Sequence, residues 1–457
     1  MKNITLITNT KVRRIPLIWL FTLSLSSIAM LSAKEIKVHQ IAKPSIRPKG
    51  SPEYGDVCFR YGWIRTNSFP TVKDAKKAMR EFHATRVDWF YPGSHLANPG
   101  ATYVSPEAKQ FIDWCHQEGM KICGTINSNT THLPWKYRKH HLTRYVGEVN
   151  NPDFVKEVLK WGKAQIDAGV DTLVCDDIFK YNEPRKQIWS DNVLSILRNY
   201  KPGFRLAGNN GSSIGTDYVK KFSVDYHYSD NNFVPDPRDW WLASKAHRAL
   251  GSAFLIHPNK HISAELRRKL IALGYASGAH VITPWDEYIH GKKRLFANPS
   301  DFADLYGFAR YLNQLGFLNG YEDAFVGGHD LKENRYGNYR PAEVKAKDGA
   351  VSVFGRAKPE NSTVPVVLHL VEWKKAKGVQ LKIRNRSFFE QGQLKLELHR
   401  PRVYEQEIHT EAEEKGDYTS LATAETIKSI SKDGWTTVEL PKLSPWAVLI
   451  VSSSNSD

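Results

Sequence analysis

Gly169-Val170-Asp171-Thr172-Leu173-Val174-Cys175-Asp176-Asp177 decides how the chain is read. A glycine suited to end a helix is followed by a short apolar run and then by two adjacent carboxylates. A strand buried on both faces of a parallel sheet has this composition, and in a (β/α)8 barrel the C-terminal end of each strand opens into the active-site mouth. Seven further strand-like segments flank this one: Val57 to Tyr61, Arg86 to Tyr91, Lys121 to Ile126, Arg205 to Gly208, Val224 to Tyr228, Ala253 to His257 and Val281 to Thr283. Helix starts fall between them, at Thr71, Ser105-Pro106, Asn151-Pro152, Ser190, Ser263 with Glu265, and Ser300. Phe302, Leu305, Tyr306, Ala309, Leu312 and Leu315 repeat at helical spacing, as on a helix packed outside a barrel. Eight alternating units without a glycine-rich dinucleotide fingerprint predict a closed (β/α)8 barrel rather than a doubly wound sheet.

The pattern changes towards the C-terminus. Ala350 to Val353, Val364 to Val371, Val379 to Ile383, Leu394 to Leu398, Thr437 to Leu440 and Trp446 to Val451 read as short strands separated by turns. The helix signal there is confined to a stretch near Ala422 to Ser429. The expected organisation is α/β: a leader over 1–33, a barrel over 34–335, and an antiparallel β-sandwich over 336–457. The leader is read from Lys2, Lys11, Arg13 and Arg14, then the apolar run Ile15 to Leu31, then Leu31-Ser32-Ala33. That is a secretory signal pattern, so a secreted or periplasmic location is expected, with no stable membrane insertion after cleavage.

The formal charge is +16 over 457 residues, with a sequence pI near 9.4. Basic clusters stand at Trp135-Lys136-Tyr137-Arg138-Lys139-His140-His141, Lys220-Lys221, Arg267-Arg268-Lys269 and Lys292-Lys293-Arg294. Outside the cell such a surface suits an acidic or sulfated polysaccharide, or it is simply a solvated basic face. No nucleic-acid-binding motif accompanies the charge, so nucleic acid is not an expected partner. Cys58, Cys115, Cys123 and Cys175 match no zinc spacing and read as small buried residues rather than a disulfide such as Cys115 with Cys123. No metal or other cofactor is expected, and no paired His and Asp spacing supports a metal-dependent deacetylase.

The strand ends supply Arg60, Tyr61 and Trp63; Tyr91; Asn127; Asp176 and Asp177; Asn209 and Asn210; His227 and Asp230; His257; and Trp285, Asp286 and Glu287. Aromatic faces stack on sugar rings, amides and carboxylates bind hydroxyls, and basic groups suit sulfate or carboxylate. Expected substrate-binding residues are therefore Arg60, Trp63, Tyr91, Asn127, Asn210, His227, His257, Trp285, Asp286 and Glu287. Glycosidic bond cleavage needs two carboxyl groups, about 5 Å apart in retaining enzymes and farther apart in inverting ones. Adjacent residues of a regular strand face apart, so only one of Asp176 and Asp177 can point to the barrel axis. The partner acid must come from another strand, with Asp230, Asp225 and the pair Asp286 and Glu287 as the sources. Trp240 and Trp241 are either a stacking platform or core.

Gly169 to Asp177 resembles the fourth-strand motif of the clan D retaining α-glycosidases, the α-galactosidase or melibiase group. The segments Pro284-Trp285-Asp286-Glu287-Tyr288 and Leu318-Asn319-Gly320-Tyr321-Glu322 are similar to those of marine bacterial barrels that degrade polysaccharides. The clan D resemblance implies a barrel followed by a β-sandwich, with Asp176 as nucleophile and Asp230, in Tyr228-Ser229-Asp230, as acid and base. Asp177 is the alternative nucleophile. Val174 stands where that group usually has lysine. The expected activity is thus a secreted glycoside hydrolase on an anionic, sulfated or algal polysaccharide, and the alternative is a non-catalytic glycan-binding barrel.

Overall fold

The computed structural model describes residues 36–45, 47, 49–60, 72–90, 92, 103–127, 138–141, 144–147, 150–176, 183–209, 221–228, 237, 240–242, 244, 255–256, 263–281, 298–328, 340–390 and 394–454. Residues 36–457 form one compact unit, and the expected leader lies outside the described residues.

Eight strands lie where the sequence places them: β1 (Cys58–Arg60), β2 (Arg86–Phe90), β3 (Lys121–Asn127), β4 (Thr172–Asp176), β5 (Arg205–Asn209), β6 (Tyr226–Tyr228), β7 (Leu255–Ile256) and β8 (His280–Val281). The first six pair in chain order as one parallel sheet, and β7 pairs in parallel with β8. This is a (β/α)8 barrel. Its helices include α1 (Val72–Glu81), α2 (Pro106–Gln117), α3 (Pro152–Ala168), α4 (Glu183–Trp189), α5 (Ala264–Ser277) and α6 (Pro299–Gln314).

Local chemistry explains the junction that delivers β4. The Asn151 side chain accepts from the backbone N–H groups of Asp153 and Phe154, Pro152 follows, and α3 ends at Gly169 with φ 105°. That left-handed conformation is cheap only for glycine. Inside α3, the Gln165 amide is stitched to β3: Nε2 donates to the Thr125 carbonyl at 2.9 Å and Oε1 accepts from Thr125 N–H at 3.0 Å. Gly124 leaves room for this pair, since a Cβ there would lie 2.3 Å from Gln165 Oε1.

Two expected helix starts move. The helix expected from Ser190 begins at Glu183 and runs through a π-helical turn, Ser190–Leu194, while the last helix is entered from Asn298 with Pro299 in its first turn. Proline's fixed φ favours the first helical position over the serine that follows it.

The sandwich contains β9 (Glu322–Gly328), β10 (Ala342–Lys345), β11 (Asp348–Ala357), β12 (Val366–Lys377), β13 (Val379–Arg384), β14 (Leu394–Pro401), β15 (Ala422–Thr426), β16 (Ser429–Lys432), β17 (Trp435–Leu440) and β18 (Trp446–Ser453). One sheet runs β9-β11-β12-β18-β14-β15, the other β10-β13-β17-β16. The expected boundary at 336 is too late, because β9 pairs antiparallel with β11. The expected helix near Ala422 to Ser429 is also wrong: those residues form β15 and β16, and the helix is α7 (Gln406–Lys415).

The larger sheet is buried on both faces. Ala447, Leu449 and Val451 join the sandwich core, while Trp446, Val448 and Ile450 join the barrel core with Tyr275 and Phe308. Trp446 stacks on Tyr275 with ring centroids 5.4 Å apart, meets Phe308 edge-on at 4.8 Å, and donates from Nε1 to His369 Nδ1 at 3.2 Å. Strict alternation therefore vanishes from β12 and β18, where both parities are apolar.

Candidate active site

The orientation of β4 follows from its first residue. Arg86, 1% exposed, donates from Nε to Asp88 Oδ1 at 3.0 Å, and its Nη2 reaches Thr172 Oγ1 at 3.4 Å and the Tyr226 hydroxyl at 3.3 Å. Three strands, β2, β4 and β6, converge on this one guanidinium, so Arg86, Asp88, Thr172 and Tyr226 face the barrel interior. Thr172, Val174 and Asp176 share a face by the two-residue period. Cys175 lies on the other face, where its sulfur accepts from Trp189 Nε1 of α4 at 3.1 Å. Asp176 thus points into the barrel at its mouth. Asp177 lies outside the described residues.

Asp176 is half-buried and accepts at Oδ1 from Asn209 Nδ2 at 2.6 Å. Asn209 ends β5 and is itself buried. In the sheet register, Asp176 stands opposite Asn127, and Asn209 opposite Tyr228. The mouth end of β2 carries a bulge: Trp89 adopts φ 55°, and the register slips between Val87 and Phe90. Bulges re-aim side chains, and here Phe90 turns outward onto Phe111 at 5.2 Å although Arg86 and Asp88 face inward.

Of the expected site residues, Asp176 is described in full. Arg60, Asn127 and His227 are placed as the strand positions ending β1, ending β3 and inside β6, and their side chains lie outside the described residues. Trp63, Tyr91, Asp177, Asn210, Asp230, His257, Trp285, Asp286 and Glu287 also lie outside the described residues.

Asp225 is not an inward acid. It accepts from Arg198 Nη2 at 2.7 Å and from Leu206 N–H at 3.0 Å, with Arg205 Nη1 at 3.6 Å, all at the floor end of the sheet. Trp240 and Trp241 are 1% and 2% exposed, so they are core rather than a stacking platform. The four cysteines are buried free thiols. Burial, with Asp88 nearby, pushes the Cys123 thiol up to about 12, which leaves it unreactive.

Part of the basic surface is neutralised internally. Arg268 donates from Nη1 to Asp304 Oδ1 at 2.7 Å, and Lys269 pairs with Glu265 at 2.7 Å. Among the described residues, no helix is long and apolar enough to cross a membrane.

The interior pair Arg86 and Asp88 is what motif reading passed over, while Asn209 was read as a strand end without an assigned role. Their signal was parity: Arg86 and Asp88 alternate with Val87 and Trp89.

No protein-family model matches the chain, and no curated protein matches it by sequence. Among solved structures, a noncanonic maltogenic α-amylase from Thermotoga neapolitana superposes with a TM-score of 0.53 at 10% identity, covering 87% of this chain and 98% of that one. Amy13B of Eubacterium rectale superposes at 0.51 and 10% identity, covering 90% and 97%. The fold is shared along nearly the whole of those chains.

Proposed function

We propose that the protein is a secreted glycoside hydrolase of the retaining type, acting on an anionic polysaccharide or its oligosaccharides. The observation that carries this reading is the half-buried Asp176 carboxylate, facing the barrel interior at the C-terminal end of β4 and hydrogen-bonded by Asn209. Active sites of such barrels are built at that end. The solved structure with the same fold that is named a maltogenic α-amylase lends support from the carbohydrate side. The net charge of +16 supports an acidic or sulfated substrate.

In this mechanism an Asp176 oxygen forms a bond to the anomeric carbon as the glycosidic C–O bond breaks. Asp230 gives its proton to the departing oxygen. Water then attacks the same carbon, Asp230 takes the water's proton, and the bond to Asp176 breaks to restore its carboxylate. Asp177, next in the chain, is assigned to capping or orienting its neighbour, because its strand parity is opposite. Arg60, Trp63, Tyr91, Asn127, Asn210, His227, His257, Trp285, Asp286 and Glu287 are assigned to substrate contact.

The test is a screen of algal and host polysaccharides, with and without sulfate, for new reducing ends, run with wild type, Asp176→Asn, Asp177→Asn and Asp230→Asn. Release from a sulfated or uronic acid-containing glycan that Asp176→Asn and Asp230→Asn abolish is expected. Cleavage of neutral α-galactosides alone would reject the anionic substrate. Glycan binding without cleavage by any form would establish the non-catalytic barrel instead.

A further inference from the structure

Asn209 is 3% exposed, yet its amide nitrogen lies 2.6 Å from Asp176 Oδ1. An ionised carboxylate only accepts, so the face of the amide turned towards it must be the nitrogen, and the side chain's orientation is thereby fixed. Both ends of this bond sit on a backbone ladder: β4 and β5 are in parallel register from Thr172 opposite Arg205 to Cys175 opposite Gly208. A carboxylate held through one oxygen on such a support cannot turn about its Cβ–Cγ bond without losing the contact, so the direction of the second oxygen is set as well.

The surroundings define what kind of donor this is. Asn127 is the register neighbour of Asp176 on β3, and Tyr228 is that of Asn209 on β6. Arg86 and Asp88 face the same interior, paired with each other and reaching β4 at Thr172, four positions deeper. The Asn209 amide is itself neutral, so what it brings to the carboxylate is a hydrogen bond and no charge. An arginine or lysine in its place would hold the anion harder and blunt its attack on carbon.

We infer that Asn209 is the positioning residue for Asp176: through Nδ2 it fixes the rotation of the carboxylate and keeps it ionised and aimed into the mouth. The inference rests on the reading of Asp176 as nucleophile and adds no step to that chemistry.

The test uses Asn209→Leu, which keeps the volume and removes the donor, and Asn209→Ala, each checked for an unchanged melting profile. Carbon NMR of aspartate carboxyl groups, with the Asp176 signal assigned by its loss in Asp176→Ala, reads ionisation without any substrate. Loss of one hydrogen bond to a charged group should move the midpoint of that signal upward by about one to two pH units, a tenfold to hundredfold fall in the ionisation constant. An unmoved midpoint in a folded variant overturns the inference. On a dinitrophenyl α-galactoside, whose leaving group needs no proton, kcat should fall about tenfold to a hundredfold while KM stays within about twofold. Equal kcat in variant and wild type also overturns it. If Asp176→Ala cleaves as fast as wild type, the nucleophile assignment is what fails, whatever Asn209 does. If wild type ignores the galactoside, the carboxyl titration decides alone.

Discussion

The two ends of β4 carry the same residue type and put it to different uses. At the floor end, Asp171 is 37% exposed on its side chain and accepts from Ile122 N–H at 2.8 Å and from His116 Nε2 at 3.1 Å. Asp225, at the floor end of β6, is likewise held by two arginines and a backbone N–H. At the mouth end, Asp176 meets a neutral amide. The floor acids staple strand starts to their neighbours, with backbone N–H groups and basic side chains as partners. At the mouth the donor to Asp176 Oδ1 is a neutral amide, and the proposed reading makes this acid the one that reacts. On the proposed reading, strand direction, more than residue identity, separates a staple from a reagent.

Substitutions should separate the two ends. Asp176→Asn should lower glycan hydrolysis by about 10⁴-fold or more, as loss of a nucleophile does in other hydrolases, with the melting temperature little changed. The next largest effect belongs to the barrel–sandwich junction. Trp446→Ala, which empties the site between Tyr275, Phe308 and His369, should cost about 3–5 kcal/mol in denaturant unfolding. The same junction should make the protein acid-sensitive. Burial, with Arg356 beside it, holds His369 well below its ordinary value of 6.5, and burial with His83 beside it lowers His409 to about 3. Both rings are neutral in the fold, so stability should be complete above pH 6.5 and fall as pH drops from 6.5 towards 3, which thermal melts across that range would read. A flat melting profile over that window would mean that these rings are not held neutral.

Smaller effects are expected at the floor. Asp225→Ala should destabilise by about 1–3 kcal/mol, because it leaves Leu206 N–H and two guanidinium groups without their acceptor, and should leave kcat unchanged. Asp171→Asn, at a wetter site, should cost less than about 1 kcal/mol. A loss of activity in either floor variant comparable to that of Asp176→Asn would erase the distinction between the ends.

Much of this frame was legible in the sequence. All eight barrel strands overlap the expected segments, because apolar runs ending in polar residues between capped helices have few other uses. Asn151, Ser105 and Ser263 cap where they were expected to. What escaped depended on tertiary context. β9 was missed because Glu322-Asp323-Ala324-Phe325-Val326-Gly327-Gly328 begins with two acids, the first of which accepts from Ser45 at 2.7 Å and has the Arg47 guanidinium nearby. β15 is nearly all exposed, so it carries no alternation to read. Trp240 and Trp241 stayed open between platform and core because neighbouring polar residues say nothing of the core above them. At the site, strand parity left Asp176 and Asp177 open until Arg86 showed which face of β4 is interior. Asn209 was visible as a strand end, and only the register of β4 on β5 revealed what it touches.

The most direct measurement compares wild type, Asp176→Asn and Asp225→Asn, all folded to the same melting curve within the floor variant's small loss, for release of reducing ends from one sulfated polysaccharide. Wild type and Asp225→Asn should release them at similar rates, and Asp176→Asn should release almost none. Equal release by Asp176→Asn and wild type would contradict the assignment of chemistry to the mouth of β4.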